Sequence, residues 1–308
     1  ETWSTDPWPV QQAWQRNLLQ LQYADRCLGK VLDRLESTGQ LRQALVIVTA
    51  DHGMSFVPGA SLREPTDETL PDILPIPLFV KLPGQTEGSI SDRNVETIDI
   101  LPTIADVLQM DAAPDWQGAS LLSGEERPRK TVRGSLNTIL QPNFQARFRH
   151  IERLTEVFGT GGVDDRLGKL NHRPDLVGRW VSEFTVDQSE WVTRATRRQV
   201  QALVKVQPGD LGTDYVPALI HGKLQGASPS AAPVSLAIAV NGRICVTTRT
   251  STDANVGLAW SVLIPPEDLP AVATPLEIYE ISDQGEGVLR RIAIPAGAEW
   301  ELRDILED

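Results

Sequence analysis

The run Ala44-Leu45-Val46-Ile47-Val48-Thr49-Ala50 constrains this chain more than any other feature. It is too short for an amphipathic helix, carries no charge and is rich in β-branched side chains, so it predicts a strand. No polar residue alternates with the apolar ones, which is the pattern of a strand covered on both faces, as in a parallel sheet. The run stops at Asp51-His52-Gly53. Two polar side chains therefore stand at the carboxyl end of a strand, where α/β sheets carry their functional groups.

The flanks extend this pattern. Trp14, Leu18, Leu21, Leu28, Leu32 and Leu35 recur at helical spacing, and Gly39 follows them, so residues 10–38 read as one long helix. Residues 53–75 are an irregular stretch rich in Pro and Gly. Ile76 to Leu82 reads as a second buried strand. Val95 to Met110 reads as a helix with Asp99 near its start as N-cap and Pro102 in its first turn. Helix, strand, loop, strand, helix is the order of an α/β layered domain, assigned to residues 1–126 and incomplete as a sheet.

Residues 127–178 read as a linker with short helices around 144–158 and a loop at 159–165. From Arg179 the pattern changes to short β-rich runs at 202–206, 234–240, 244–250, 258–264, 276–281 and 288–294. Asn241-Gly242 between two of them is a strong hairpin signal. Strands at this spacing predict a β-sandwich-like domain over 179–308.

A formal net charge of −12 with no basic cluster excludes a nucleic-acid binder. No stretch approaches eighteen consecutive apolar residues, so none is expected to span a bilayer. The chain opens on Glu1 and its only methionines are Met54 and Met110, which reads as a piece of a longer protein. A leader or membrane anchor is then expected, if anywhere, upstream. Cys27 and Cys245 fall in different predicted domains and are expected to be free thiols.

Asp offers a hard oxygen and His a borderline nitrogen, so adjacent Asp51 and His52 suit a divalent ion such as Zn²⁺ or Mn²⁺. On residue chemistry alone the pair equally fits a turn, with Asp51 capping it and His52 packed locally. The flanking segments bear on this choice. Asp25 to Lys30 (DRCLGK), Val46 to Gly53 (VIVTADHG), Ile76 to Gly84 (IPLFVKLPG), Glu96 to Leu108 (ETIDILPTIADVL) and Gln117 to Leu122 (QGASLL) come in one order. That order resembles the half of the sulfatase-family domain, in the alkaline phosphatase superfamily, that follows the nucleophile.

The resemblance implies an enzyme that hydrolyses or transfers sulfate or phosphate esters, using a Thr, Ser or modified Cys nucleophile beside divalent metal (Ca, Mn, Mg or Zn). It implies that Asp51 and His52 are metal ligands. The family's nucleophile and further carboxylate ligand lie well upstream of Asp-His-Gly. Nothing around Thr2, Ser4, Thr5 or Asp6 resembles that segment. The nucleophile is therefore expected to be missing from this chain, and these residues alone to be inactive.

Two departures from the family stand out. The loop from Gly53 to Pro75 has no His or Lys; Arg63 is its only cation and the candidate contact for an anionic substrate group. "CVTTR" from Cys245 is a near miss to the formylglycine motif, but Thr247 replaces Pro or Ala and the segment follows the metal pair. Lys81, His150, His172 and His221 read as structural or surface residues. Trp180, Trp191, Trp260 and Trp300 are core residues or platforms for sugar rings.

"LAIAVNGRICVTT" resembles the C-terminal part of bacterial membrane proteins with an extracytoplasmic sulfatase-like domain. It implies an extracytoplasmic location, with membrane association only through a segment outside this chain. The expected partner is a sulfated or phosphorylated small molecule, glycan or lipid-linked substrate. Two alternatives stand beside the sulfatase reading. One is a phosphodiesterase or a phosphoglycerol- or phosphoethanolamine-type transferase of the same superfamily. The other is a catalytically degenerate scaffold whose β-domain binds glycan or protein.

Overall fold

The computed structural model describes residues 1–111, 115–125, 127, 130–131, 139–140, 151–152, 155–156, 170–195, 218–226, 232–253, 257–265, 268, 276–282 and 287–294. The expected strand at 202–206, the loop at 159–165, most of the linker, His150 and Trp300 lie outside them. Two compact units divide the chain. The first holds Glu1, Gln20–Ser55 and Ser61–Glu152; the second holds Thr2–Leu19, Phe56–Ala60 and Arg153–Asp308. No helix among the described residues is long and apolar enough to cross a membrane.

Helix α1 runs over Pro7–Ser37. It starts earlier than its apolar stripe does, because the Trp8 backbone N–H donates to Asp6 Oδ1 at 3.0 Å and Pro7 fills the first helical position. Gly39 ends it with φ of 72°, and Gln40 N–H closes back on the Leu35 carbonyl at 2.8 Å. The buried residues of α1 are Trp8, Val10, Gln12 and Gln15, all in its first turns, whereas Leu21 on the expected stripe is 62% exposed.

In the first unit, β1 (Val46–Thr49) pairs with β2 (Leu78–Lys81) in antiparallel register, Val46 opposite Lys81 and Thr49 opposite Leu78. This corrects the expectation of a parallel strand covered on both faces. Among the described residues β2 is the one partner of β1, and a two-stranded ribbon cannot bury both of its faces. Thr49 and Phe79 accordingly face water. Lys81 is structural, its Nζ donating to the carbonyls of Arg42 (3.0 Å) and Ala44 (3.1 Å).

Between these strands lies the short helix α2 (Leu70–Ile73), unforeseen in the irregular stretch although Thr69 and Pro71 mark a helix start. A 3₁₀ turn over Thr97–Asp99 leads into α3 (Ile100–Val107), shorter than the expected 95–110. Asp99 does not cap α3 with its side chain. Its carboxylate accepts backbone N–H groups from Glu96 (2.8 Å) and Ala119 (3.0 Å) and a two-pronged Arg127 guanidinium (2.7 and 2.9 Å). That pins the closing segment of the domain to α3. Two-residue strands β3 (Lys130–Thr131) and β4 (Ile139–Leu140) pair antiparallel.

The second unit carries β5 (Thr185–Ala195), β6 (Ala218–Gln225), β7 (Ser235–Val240), β8 (Arg243–Arg249), β9 (Ala259–Ile264), β10 (Leu276–Ile281) and β11 (Val288–Ala293). They form one sheet in the order β8-β7-β10-β11-β5-β6-β9. The β7–β8 hairpin turns at Asn241 (φ 53°) and Gly242 (φ 74°), both left-handed as the Asn-Gly signal requires.

A sandwich needs two stacked sheets; the described strands make a single seven-stranded one. Its edge strands approach each other, Thr248 Oγ1 of β8 donating to the Ser261 carbonyl of β9 at 3.0 Å. One face packs Leu236, Ile238, Ile264 and Ile278 around Trp191 and Trp260. The other packs Ala237, Ile244, Tyr279 and Leu289 beneath Leu176.

The start of α1 belongs to this unit by specific bonds. Trp8 Nε1 donates to Thr248 Oγ1 at 3.0 Å, and Gln12 accepts from Ser261 Oγ at 2.8 Å. Asp6, almost fully buried, pairs with Arg249 through 2.6 and 2.8 Å bonds. Phe56 is stacked between Trp3 and Trp14, each ring centroid 5.4 Å away.

Candidate metal centre

Asp51 and His52 follow the carboxyl end of β1, and three hydrogen bonds of the neighbouring backbone set their direction. Gly53 N–H donates to the Ile73 carbonyl of α2 at 2.8 Å, and Ser55 N–H to the Leu62 carbonyl at 3.1 Å. The His52 backbone N–H donates to Asp51 Oδ1 at 2.8 Å. Position 53 must be glycine for want of space. A Cβ there would collide with the Asp72 carbonyl, while its φ lies outside the left-handed region.

The His52 ring is held in one tautomer. Its Nδ1 lies 2.7 Å from the Gly53 carbonyl oxygen, which can only accept, so Nδ1 carries the proton. Nε2, the other ring nitrogen, lies 3.6 Å from Asp51 Oδ2. A backbone carbonyl on one imidazole nitrogen is the usual way of presenting the other to a metal. Two donors about 2.0–2.1 Å from one ion at a tetrahedral angle lie roughly 3.3–3.4 Å apart, so the observed span suits a shared cation.

Electrostatics agree. The His52 backbone N–H, chiefly, with help from the His52 ring and the charge of Arg63, holds the Asp51 carboxyl below the usual carboxylate range. Asp51 is thus an anion with its side chain 86% exposed, and His52 is 39% exposed. Of the three residues expected at the site, Asp51 and His52 are in contact and Arg63 makes itself felt through its charge. Among the described residues no cluster of three or more His, Cys, Asp or Glu forms. The pair fits a divalent ion as part of a donor set, which needs four or more ligands in all.

The other candidates stand apart. Cys245 of the near-miss motif lies inside β8, its thiol pushed up to about 12 by burial, which does not suit a nucleophile. His172 sits 3.1 Å from Ser235 Oγ and edge-on to Trp8, and His221 is half-buried in β6. Sequence reasoning missed Asp72 and Ser55, buried neighbours in the loop with Ser55 Oγ 3.3 Å from Asp72 Oδ2. Asp72 in the first turn of a Pro-started helix was the available signal.

The sulfatase family model matches residues 3–110, which include β1, Asp51, His52, β2 and α3. Over these residues the chain is similar to the sulfatase family. Relatives of the sulfatase segment carry several names. A 2,3-bisphosphoglycerate-independent phosphoglycerate mutase of Trichormus variabilis is 34% identical over 125 residues, 38% of this chain and 23% of that protein. A multifunctional alkaline phosphatase superfamily protein, PehA, of Trinickia caryophylli is 35% identical over 100 residues, 32% of this chain and 19% of that protein. An endo-4-O-sulfatase of Bacteroides thetaiotaomicron is 28% identical over 80 residues, 26% of this chain and 16% of that protein. The chain thus spans less than a quarter of the length of these curated relatives. No solved structure matches it.

Proposed function

We propose that the chain supplies the metal-binding half of a hydrolase for sulfate or phosphate esters. Asp51 Oδ2 and His52 Nε2 hold a divalent cation, and Arg63 contacts the anionic group of the substrate. The observation that carries the reading is the 3.6 Å span between those two donor atoms, with Nδ1 already engaged on the Gly53 carbonyl. A divalent ion there supplies charge neutralisation for the ester oxygens and activation of a nucleophile. The residues of this chain orient it: Gly53 lets the loop meet α2, and Asp51 stays ionised so that the site is anionic when empty.

The nucleophile and remaining ligands come, in this reading, from a segment outside these residues. Nothing before Asp51 resembles the family's nucleophile segment, and the matched relatives are much longer. The chain by itself is then inactive, and the longer protein acts outside the cytoplasm. A phosphoryl-transfer variant of the same chemistry draws support from the relatives named phosphoglycerate mutase. Metal analysis of the chain and its Asp51→Ala and His52→Ala variants tests the site. Unchanged metal content in both variants overturns the assignment. Aryl sulfate and aryl phosphate hydrolysis by a longer protein containing the chain separates the two ester classes.

A further inference from the structure

The structure sorts the tryptophans of the β-rich half. Trp191 and Trp260 are core residues, 5% and 3% exposed, while Trp180 is 53% exposed. We propose that Trp180, Arg243 and Asp268 form a binding site for a neutral saccharide, with a pyranose ring stacked on the Trp180 indole.

Trp180 and Arg243 are opposite residues of an antiparallel bridge, so their side chains rise from the same face with Cβ atoms about 4.5–5.5 Å apart. Arg243 Nε donates to the Gly178 carbonyl at 3.2 Å, and its Nη1 stands 3.6 Å from Asp268 Oδ1. On the other flank, Glu183 accepts the Trp180 backbone N–H at 2.7 Å and Arg179 Nε at 3.0 Å. The Arg179 guanidinium in turn covers Phe184, 4.3 Å from its ring centre.

Backbone hydrogen bonds tie the platform to the β7–β8 hairpin. Gly178 N–H donates to Ile244 O at 2.8 Å, Val181 N–H to Gly242 O at 2.8 Å, and Ile244 N–H returns to Arg179 O at 2.9 Å. A ligand that stacks there pays little ordering entropy on the protein side. Position 178 has φ of +87°, in the left-handed region that favours glycine.

The ligand class follows from the chemistry displayed. An exposed aromatic plate matches the C–H face of a sugar ring, and a guanidinium beside a carboxylate offers donors and acceptors to neighbouring hydroxyls. Arg179 and Arg243 are balanced by Glu183 and Asp268, so the cluster has no net charge. That favours a neutral sugar over a sulfated or phosphorylated one.

The test uses the full chain in the presence of a metal chelator, so its outcome is independent of Asp51 and His52. Glucose, galactose, mannose and N-acetylglucosamine oligomers are titrated by calorimetry and tryptophan fluorescence, with heparin as the anionic control. The expected result is saturable binding of at least one neutral oligomer. Affinity should fall about tenfold or more in Trp180→Ala and Arg243→Met and return in Trp180→Tyr. Folding of each variant is checked by circular dichroism. Failure of every neutral oligomer to bind, binding unaffected by Trp180→Ala, or binding of heparin alone overturns the proposal.

Discussion

Gly53 N–H donates to the carbonyl oxygen of Ile73 at 2.8 Å, so the loop that carries Asp51 and His52 lies directly against helix α2. A methyl group on Gly53 would collide with the preceding carbonyl, that of Asp72. Gly53→Ala should therefore destabilise the first unit by about 1–3 kcal/mol, the cost of forcing backbone apart at a close contact. Metal content should fall with it, since the direction of His52 depends on the same turn. Thermal unfolding and metal analysis of the variant check both outcomes.

Asp6 and Arg249 hold the start of α1 to β8. Burial raises the Asp6 carboxyl, but bonds from Arg249 and from the N–H groups of Trp8 and Thr252 outweigh it, leaving it far below the usual carboxylate range. The unfolded chain takes up this proton first, near about pH 3.9. Stability from the pair is thus complete above that value and is lost as pH falls toward the folded-state value. Asp6→Asn should flatten the acid limb of a pH–stability curve below about pH 4. Arg249→Met, which strands a buried carboxylate, should cost about 3–5 kcal/mol in urea unfolding at neutral pH.

The Asp99–Arg127 pair makes a milder version of the same prediction. Arg127 keeps a quarter of its side chain in water, at 25% exposure against 4% for Asp99. Arg127→Met should cost about 2–3 kcal/mol, less than a fully buried pair. Hydrogen exchange at the α3 amides should accelerate if the pair pins the closing segment.

Cys27 and Cys245 are both free thiols. Cys245 is buried in β8 with its Sγ 3.2 Å from the Ile238 carbonyl, and burial pushes its pKa up to about 12. Native alkylation at neutral pH should modify Cys27 and spare Cys245 until the chain is unfolded. Mass spectrometry of the labelled protein reads this directly, and a second native label would contradict the placement of Cys245.

The sequence made β7 to β11 of the second unit legible because they alternate or end at turns, whereas β5 and β6 were not foreseen. The Asn241-Gly242 hairpin is the clearest case, its left-handed φ angles being written in the residue types. The apolar run before Asp51 was legible as a strand but not in its partnership. Side-chain pattern records how a strand can be covered, and says nothing of which strand pairs with it or in which direction. Helix α1 shows the complementary gap. Its leucines form a plain stripe, yet Gln12 and Gln15 are buried, Gln12 with a hydrogen-bond partner at Ser261 that no local pattern could supply. At the candidate site, the neighbours Asp51 and His52 were plain to read. The tautomer lock on Gly53 and the 3.6 Å donor span required three dimensions.

Strand β5 sits between β11 and β6, and its parallel register sets Thr185 beside Val288. During synthesis, β5 leaves the ribosome roughly a hundred residues before the neighbour that completes it. The sheet cannot grow strand by strand from its amino end, because a central position stays half-paired until β11 has emerged. Closing so long a loop is slow, and the waiting edge of β5 is open to other chains meanwhile. Translation rate and temperature should therefore govern the yield of folded protein more strongly than they govern its stability once formed.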